Sequence, residues 1–457
     1  MSSTTKFDFT STHKRNFIIL FVIGMMAVLT GVFTGQADAQ KTWANLLVNA
    51  VFFTGLSALA VFFLAAHQIA FAGWHALVKR VPEAMTSFLW IGAICILVVT
   101  GGTIGNYNNL YHWSDTFLIK EKVTMAELEA YEKEHAHGHE MEGDHESGEH
   151  HGEEHSMLSN GTVVLASAGS EGGESGMIDN PYYDEILDGK SAYLNDAFFM
   201  TRTIIYLVLW VFIGYQLRRF SIKEEETGEK MWFQKTRTWA AVFLVVWAVS
   251  SSMMAWDWVM SLDPHWYSTL FGWYNFISLW VASLSVVILL IIYLKRNGYM
   301  PQTNENHLHD LGKYIFGFSV FWTYLWFSQF MLIWYGNIPE ETAWFLERKR
   351  EYNFLFGANL AVNFLVPFLV LMRRDAKRNF TVLTVVASLL IVFHWVDFYL
   401  MIIPSTVHGA APIGYFEIGM ALAFAGVFLY STFRALSKVS LVPQHNPFIQ
   451  ESIEHHI

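Results

Sequence analysis

The chain has 457 residues, of which 53% are apolar and 15% charged, with a formal net charge of −11 at pH 7. That profile excludes an ordinary soluble domain, and a chain this acidic is not expected to bind nucleic acid. Its one cysteine, Cys95, excludes a disulfide framework, an iron–sulfur cluster ligated within the chain and a covalently attached c-type haem.

Ten apolar segments follow in order, at 17–34, 43–74, 87–107, 197–217, 238–260, 273–293, 314–335, 353–372, 380–402 and 413–433. Each is near the ~20 residues that cross a bilayer core. The expected fold is an all-α polytopic membrane protein, because lipid offers no partner to an open backbone. Ala37, Asp38 and Ala39 after the first segment resemble a signal-peptidase site, but the apolar run is longer than a signal core and reads as a membrane helix.

The insert 112–195, between the third and fourth segments, holds much of the acidic charge. Over 120–180 it is poor in large apolar residues and dense in Glu, His, Gly and Ser, so much of it is expected to be mobile. His135, His137, His139, His145, His150, His151 and His155 are conceivable transition-metal ligands. No cysteine or fixed ligand spacing supports a closed site, so a solvated periplasmic insert without metal is the expectation. Asn180, Pro181, Tyr182 and Tyr183, with Tyr193, Leu194 and Asn195, read as ordered contact surface.

Loop charge sets an orientation. Lys14, Arg15, Lys79, Arg80, Arg218, Arg219, Arg373, Arg374, Arg434 and Lys438 fall on one side, which places both termini in the cytoplasm by the positive-inside rule. The run Arg348, Lys349 and Arg350 falls on the other side, and the sequence gives no reason for it.

Three motifs recur four helices apart. Gly105 and Asn106 end the third segment as Gly336 and Asn337 end the seventh; Arg218 and Arg219 end the fourth as Arg373 and Arg374 end the eighth. Asp257 precedes Pro264 as Asp397 precedes Pro404. The order implies a parallel repeat, with helices 2–5 and 6–9 as two four-helix bundles and helices 1 and 10 at the flanks. The corresponding divisions are 1–42, 43–260 (containing the insert), 261–402 and 403–457.

Ionisable groups inside the membrane are costly unless paired or hydrated, and so mark candidate function. Arg202, Asp257, His394, Asp397 and Glu417 all fall in the periplasmic half. His394 and Asp397 are three apart and share a helix face. As repeat equivalents, Asp257 and Asp397 could face each other, with Arg202 balancing their charge. Carboxylates and imidazole at one depth suit a proton path; the alternative is a buried Arg–Asp pair that fixes packing. His67 and His75 lie at a different depth from His394, so no intrinsic haem b is expected.

Trp256, Trp258, Trp266, Tyr267, Trp273 and Tyr274 bracket a periplasmic loop as interfacial anchors. The seventh helix adds Trp322, Tyr324, Trp326, Trp334 and Tyr335, too many for anchoring alone. Trp326, Trp334 and Tyr335, with the mid-membrane Gln329, are candidate contacts for a quinone headgroup.

Two stretches carry a resemblance. One comprises Leu311, Gly312 and Lys313, then Phe327, Ser328, Gln329 and Phe330, then Trp334 through Thr342. The other is Trp256 through Trp266. Together they resemble the membrane subunits of the NrfD/polysulfide-reductase family, and are most similar to the second such subunit of bacterial alternative complex III. The resemblance spans about 40–112 and 195–435. It implies ten helices in two bundles and membership of a respiratory quinol:electron-acceptor oxidoreductase. It also implies a paralogous membrane subunit, a periplasmic iron–sulfur subunit and c-type cytochrome subunits as partners. Redox cofactors would then reside in those partners, with this chain contacting quinone, moving protons or both. Two rival readings are a lone cofactor-free ion transporter and a purely structural anchor.

Overall fold

The computed structural model describes residues 6–135, 177–407, 409 and 411–456. It separates into two units, 115–192 and the remainder.

The larger unit holds ten helices long and apolar enough to cross a membrane: α1 (Ser11–Phe33), α2 (Ala39–Ile69), α3 (Arg80–Ile104), α4 (Asp196–Thr227), α5 (Lys230–Leu262), α6 (Phe271–Arg296), α7 (Glu305–Gly336), α8 (Asn353–Val370), α9 (Phe380–Ile402) and α10 (Tyr415–Leu436). The chain is thus an all-α polytopic membrane protein. Short polar side chains start the helices by accepting orphan backbone N–H groups: Asp38 for α2, Asn195 for α4, Asn304 for α7 and Asn379 for α9. Gly228 and Asn337 end α4 and α7 in the left-handed region, where a glycine or asparagine is least strained.

Several ends differ from the sequence expectation. The helices α4, α5 and α7 run beyond their apolar stretches, because charged residues continue a helix in water as readily as apolar ones do in lipid. The second segment, expected to reach 74, stops at Ile69, and a separate 3₁₀ turn occupies Gly73–Leu77. Two spans are irregular. A 3₁₀ turn at Thr86–Phe88 interrupts α3, and a π turn at Ala361–Leu365 precedes Pro367 in α8.

The helix α2 packs on α3 and α5, and α4 on α3 and α5. In the other group α6 packs on α7 and α9, and α8 on α7 and α9. The two groups meet through α2, α5, α6 and α9, and α2 and α6 are enclosed along most of their length. The flanking α1 packs mainly on α10, through a glycine seam. A Cβ added to Gly24 would sit 2.4 Å from the Gly419 carbonyl oxygen and 2.5 Å from the Ala423 nitrogen. Small residues permit that approach in a bilayer, where packing rather than water exclusion drives association. Lys6 bridges to Ser440, so both ends of the described chain meet at one face, here the terminal face.

In the smaller unit the described residues, 115–135 and 177–192, form regular elements, whereas the rest of the stretch expected to be mobile lies outside the described residues. Lys122–Thr124 pairs antiparallel with Met177–Asp179, and helices occupy Met125–His135 and Glu185–Lys190. Asn180 holds the turn by donating to the Phe117 and Lys120 carbonyls, both at 2.9 Å, and Phe117 stacks on Tyr131. The expectations for His137, His139, His145, His150, His151 and His155 lie outside the described residues.

Candidate functional site

Away from the terminal face, two buried carboxylates occupy equivalent places in the two bundles. Asp257 lies in the last turns of α5 and is fully enclosed. Arg202, two turns into α4, meets it with parallel bonds, Nε to Oδ2 at 3.0 Å and Nη2 to Oδ1 at 2.9 Å. Its Nη1 donates to the Tyr193 carbonyl at 3.0 Å, and the Tyr206 hydroxyl donates to Asp257 Oδ2 at 3.2 Å. The rings of Tyr193 and Phe198 lie 3.8 and 4.2 Å from the guanidinium carbon. The fork geometry of arginine matches a carboxylate face, which makes this a fixed, charge-balanced pair.

Asp397, in α9, is equally buried but meets no cation among the described residues. Its Oδ1 accepts from the Tyr274 hydroxyl and from Asn359 Nδ2 at 2.8 Å; its Oδ2 accepts from the Ser278 hydroxyl at 2.7 Å and Trp322 Nε1 at 3.0 Å. Tyr274 and Ser278 are one turn apart on α6, Trp322 comes from α7, and Asn359 comes from α8. Asn363, one turn further on, fixes the Asn359 amide through a 2.8 Å bond to Oδ1. Ser278 also lies 3.0 Å from His394 Nδ1, so serine joins the imidazole to the carboxyl. The other ring nitrogen, His394 Nε2, is buried without a hydrogen-bond partner among the described residues, and the Trp322 ring stands edge-on to the imidazole at 5.7 Å.

The structure therefore divides the cluster expected from sequence. Arg202 and Asp257 come together, as do His394 and Asp397, the latter through Ser278 rather than directly. Among the described residues the two carboxylates share no hydrogen-bond partner, so Arg202 does not balance both. Glu417 joins neither pocket. It pairs with Lys41 at 2.8 Å and accepts from the Gly414 N–H at 2.7 Å, tying the start of α10 to the start of α2. Sequence reading did not single out Ser278, Asn359 or Asn363. Their only signal is a hydroxyl or amide within a long apolar run, and the choice of which ones converge needs the packing of four helices.

The quinone-contact candidates on α7 do not gather into one pocket. Gln329 is buried and Trp326 is half-buried, stacked on Phe330. Trp334 and Tyr335 point outward, 67% and 85% exposed. Four residues of separation returns a side chain to the same helix face, whereas nine reverse it, so Tyr335 faces away from Trp326.

One residue of the unexplained basic run, Arg348, acquires a structural reason, while Lys349 and Arg350 are exposed. Arg348 lies on a short helix, Pro339–Glu351, and is buried against Trp344, with the guanidinium carbon 3.5 Å from the ring. It donates to the Leu400 and Met401 carbonyls at 2.8 and 3.1 Å and to the Ser405 hydroxyl at 2.7 Å. A cation there satisfies the orphan carbonyls at the C-terminus of α9, directly after Asp397 and at the negative end of the helix dipole. Burial pushes the Arg348 guanidinium down to about 9, partly offset by Glu347 and Asp263.

Toward the terminal face, α2 and α7 hold a second polar group. His67 Nε2 lies 3.3 Å from the Tyr314 hydroxyl, and the His67 and His75 rings are 5.3 Å apart. Burial pushes the His75 imidazole down to about 3, with His67 adding to the effect. Asp310 pairs with Lys313 at 2.6 Å and His455 at 2.7 Å, and His307 lies 3.2 Å from the Ser452 hydroxyl. The C-terminal tail thus covers this end of α7.

No family model matches the chain, and no curated protein matches it.

Proposed function

We propose that the chain is an integral membrane subunit of a bacterial respiratory quinol:electron-acceptor oxidoreductase, and that its second bundle handles protons. The membership rests on the motif resemblance over Trp256 to Trp266 and Leu311 to Thr342. The observation that carries the proton role is the Asp397–Ser278–His394 chain. A carboxyl held by neutral donors exists as anion or acid without leaving a charged partner stranded, which Asp257 beside Arg202 cannot do.

A proton taken up at His394 Nε2 lets Nδ1 release its own proton to the Ser278 oxygen, while the Ser278 hydroxyl proton passes to Asp397 Oδ2. The imidazole ends as the Nε2–H tautomer with one proton stored on Asp397, and the reverse passage gives that proton back at Nε2. Tyr274 and Asn359 hold the other carboxyl oxygen throughout, which fixes the geometry at Oδ2. A membrane site for quinol on or beside α7, near Gln329 and Trp326, would deliver protons to this half of the molecule. Trp334 and Tyr335 suit contact with a neighbouring subunit.

In this reading the chain sits in the bacterial cytoplasmic membrane with both termini in the cytoplasm. It associates with a paralogous membrane subunit, a periplasmic iron–sulfur subunit and c-type cytochromes, which hold the redox groups. Purification of the tagged chain with haem-c and iron–sulfur proteins supports that assignment. Purification alone, with proton flux intact in vesicles, favours a lone transporter. The test of the mechanism is quinol-driven electron transfer and proton release in vesicles at matched subunit content. Asp397→Asn and His394→Gln should both lower proton release. Wild-type turnover and proton yield in Asp397→Asn would leave a structural anchor as the function.

A further inference from the structure

At the terminal face, between the ends of α4 and α10 and the start of α3, lies a cleft of about 740 Å³. Arg218, Arg219, Lys223, Arg434 and Lys438 line it, against a single acid, Glu226. Arg219, Arg434 and Lys438 form no ion pair among the described residues. Arg218 is held in place by donating to the Ala435 carbonyl at 3.0 Å, and Lys223 lies over the Trp232 ring. Five cations with one counter-charge make a strongly positive concavity, rather than the scattered basic loops that topology alone requires.

The cleft continues into a second groove of about 680 Å³ on the outer face of α3 and α4. Ser87, Trp90, Tyr215 and Arg218 line both, and beyond them the walls are apolar, from Ile94 and Leu97 on α3 to Ile204 and Val208 on α4. Thr86 to Leu97 spans about 16 Å of helix, roughly half of a ~30 Å hydrocarbon core. Trp90 and Tyr215 stand at the junction, 56% and 62% exposed, where an amphipathic ring suits the headgroup level.

We propose that this composite cleft is a binding site for an anionic phospholipid of the terminal-face leaflet. The phosphate is held by the α4 and α10 cations, and an acyl chain lies along α3 and α4. Because the cations form two groups, one on α4 and one at and just beyond the end of α10, a lipid with two phosphodiesters should fit better than one with a single phosphate. A polypeptide helix is a poorer occupant, since it would bring no charge to match five cations unless its own end were acidic.

The protein as purified, in its native assembly, is placed in nanodiscs of zwitterionic lipid with a few per cent of diphosphatidylglycerol. Lipid carried through extraction is then measured per chain. The wild type should retain the anionic lipid several-fold above its bulk fraction. The combined Arg219→Gln, Arg434→Gln and Lys438→Gln variant, which touches exposed side chains only, should fall to the bulk fraction. Lys14→Gln with Arg15→Gln, at the same face but outside the cleft, should not change retention. Equal retention in wild type and triple variant overturns the proposal, and so does an equal loss in the Lys14/Arg15 control. A photoreactive residue at position 90 supplies an independent readout: an adduct of phospholipid mass supports the site, and an adduct to a polypeptide overturns it.

Discussion

The pockets around Asp257 and Asp397 lie near the ends of α5 and α9, one in each of the two helix groups, yet they solve the burial of a carboxylate in opposite ways. The first bundle supplies a cation from α4, Arg202, in a two-pronged bond. The second supplies from α8, the counterpart helix, the neutral amide of Asn359, and completes the shell with two hydroxyls and an indole. A charge pair fixes one protonation state, because losing either charge strands the other. A shell of neutral donors that includes hydroxyls accommodates two states, since a hydroxyl donates or accepts as needed. On the proposed reading, the same position is structural in one half and exchanges protons in the other.

The comparison breaks most sharply at Arg202. Arg202→Leu should leave Asp257 buried without its cation, a loss of about 3–5 kcal/mol, visible as a collapse of folded protein in the membrane. Normal abundance and an unchanged thermal midpoint in detergent would mean that Asp257 is not held by charge.

A next, smaller effect separates the two aspartates. Asp257→Asn should resemble the arginine variant, because the guanidinium then lacks its counter-charge. Asp397→Asn should cost only about 1–3 kcal/mol, since one N–H donor is left facing an amide N–H. It should accumulate to near-normal levels while losing proton release. Equal abundance of the two Asn variants would erase the distinction drawn between the pockets.

Acid provides a third handle, and His75 must be separated from it. This imidazole lies outside the spanning helices, and its folded value of about 3 is below the unfolded 6.5. The unfolded chain therefore binds the proton first. His75 contributes its full stability above pH 6.5 and loses it as pH falls toward 3, by at most about 1.4 kcal/mol per pH unit. Thermal midpoints at pH 7 and pH 5 should differ less in His75→Gln than in wild type. A proton-release defect from Asp397→Asn measured at pH 7 is free of this contribution.

Finally, Ser278→Ala removes the link between His394 and Asp397 and should cost about 0.5–1.5 kcal/mol. The informative outcome is a large fall in proton release at nearly full stability. If proton release stays at the wild-type level, His394 and Asp397 do not communicate through serine.

The ten spans are legible in the sequence because each is a long apolar run, and the buried carboxylates stand out as charges inside such runs. The ends of α4, α5 and α7 are not legible in the same way, since hydropathy falls where the membrane stops, not where the helix does. Arg202 with Asp257 was readable as an opposite pair at one depth. The partners of Asp397 were not, because Tyr274, Ser278, Trp322 and Asn359 lie on three different helices and each resembles an ordinary membrane-helix residue alone. Arg348 looked like a topological anomaly, because its partners are backbone carbonyls of α9, which have no sequence signature. Glu417 read as part of the path only because depth was known and the neighbouring Lys41 was not.

The glycine seam between α1 and α10 also has a consequence in time. They are first and last in order among the ten described spans, and roughly 380 residues separate them, so at about 5–20 residues per second their meeting is delayed by about 20 to 80 s. Throughout that interval α1 lacks the residues that pack against Gly24 and Gly31, Gly419 and Ala423 for the first and Phe416 for the second. Its long apolar surface makes it stable in lipid, but its final partner does not yet exist. Among the ten described spans, docking of α10 is therefore the step that encloses the glycine face of α1.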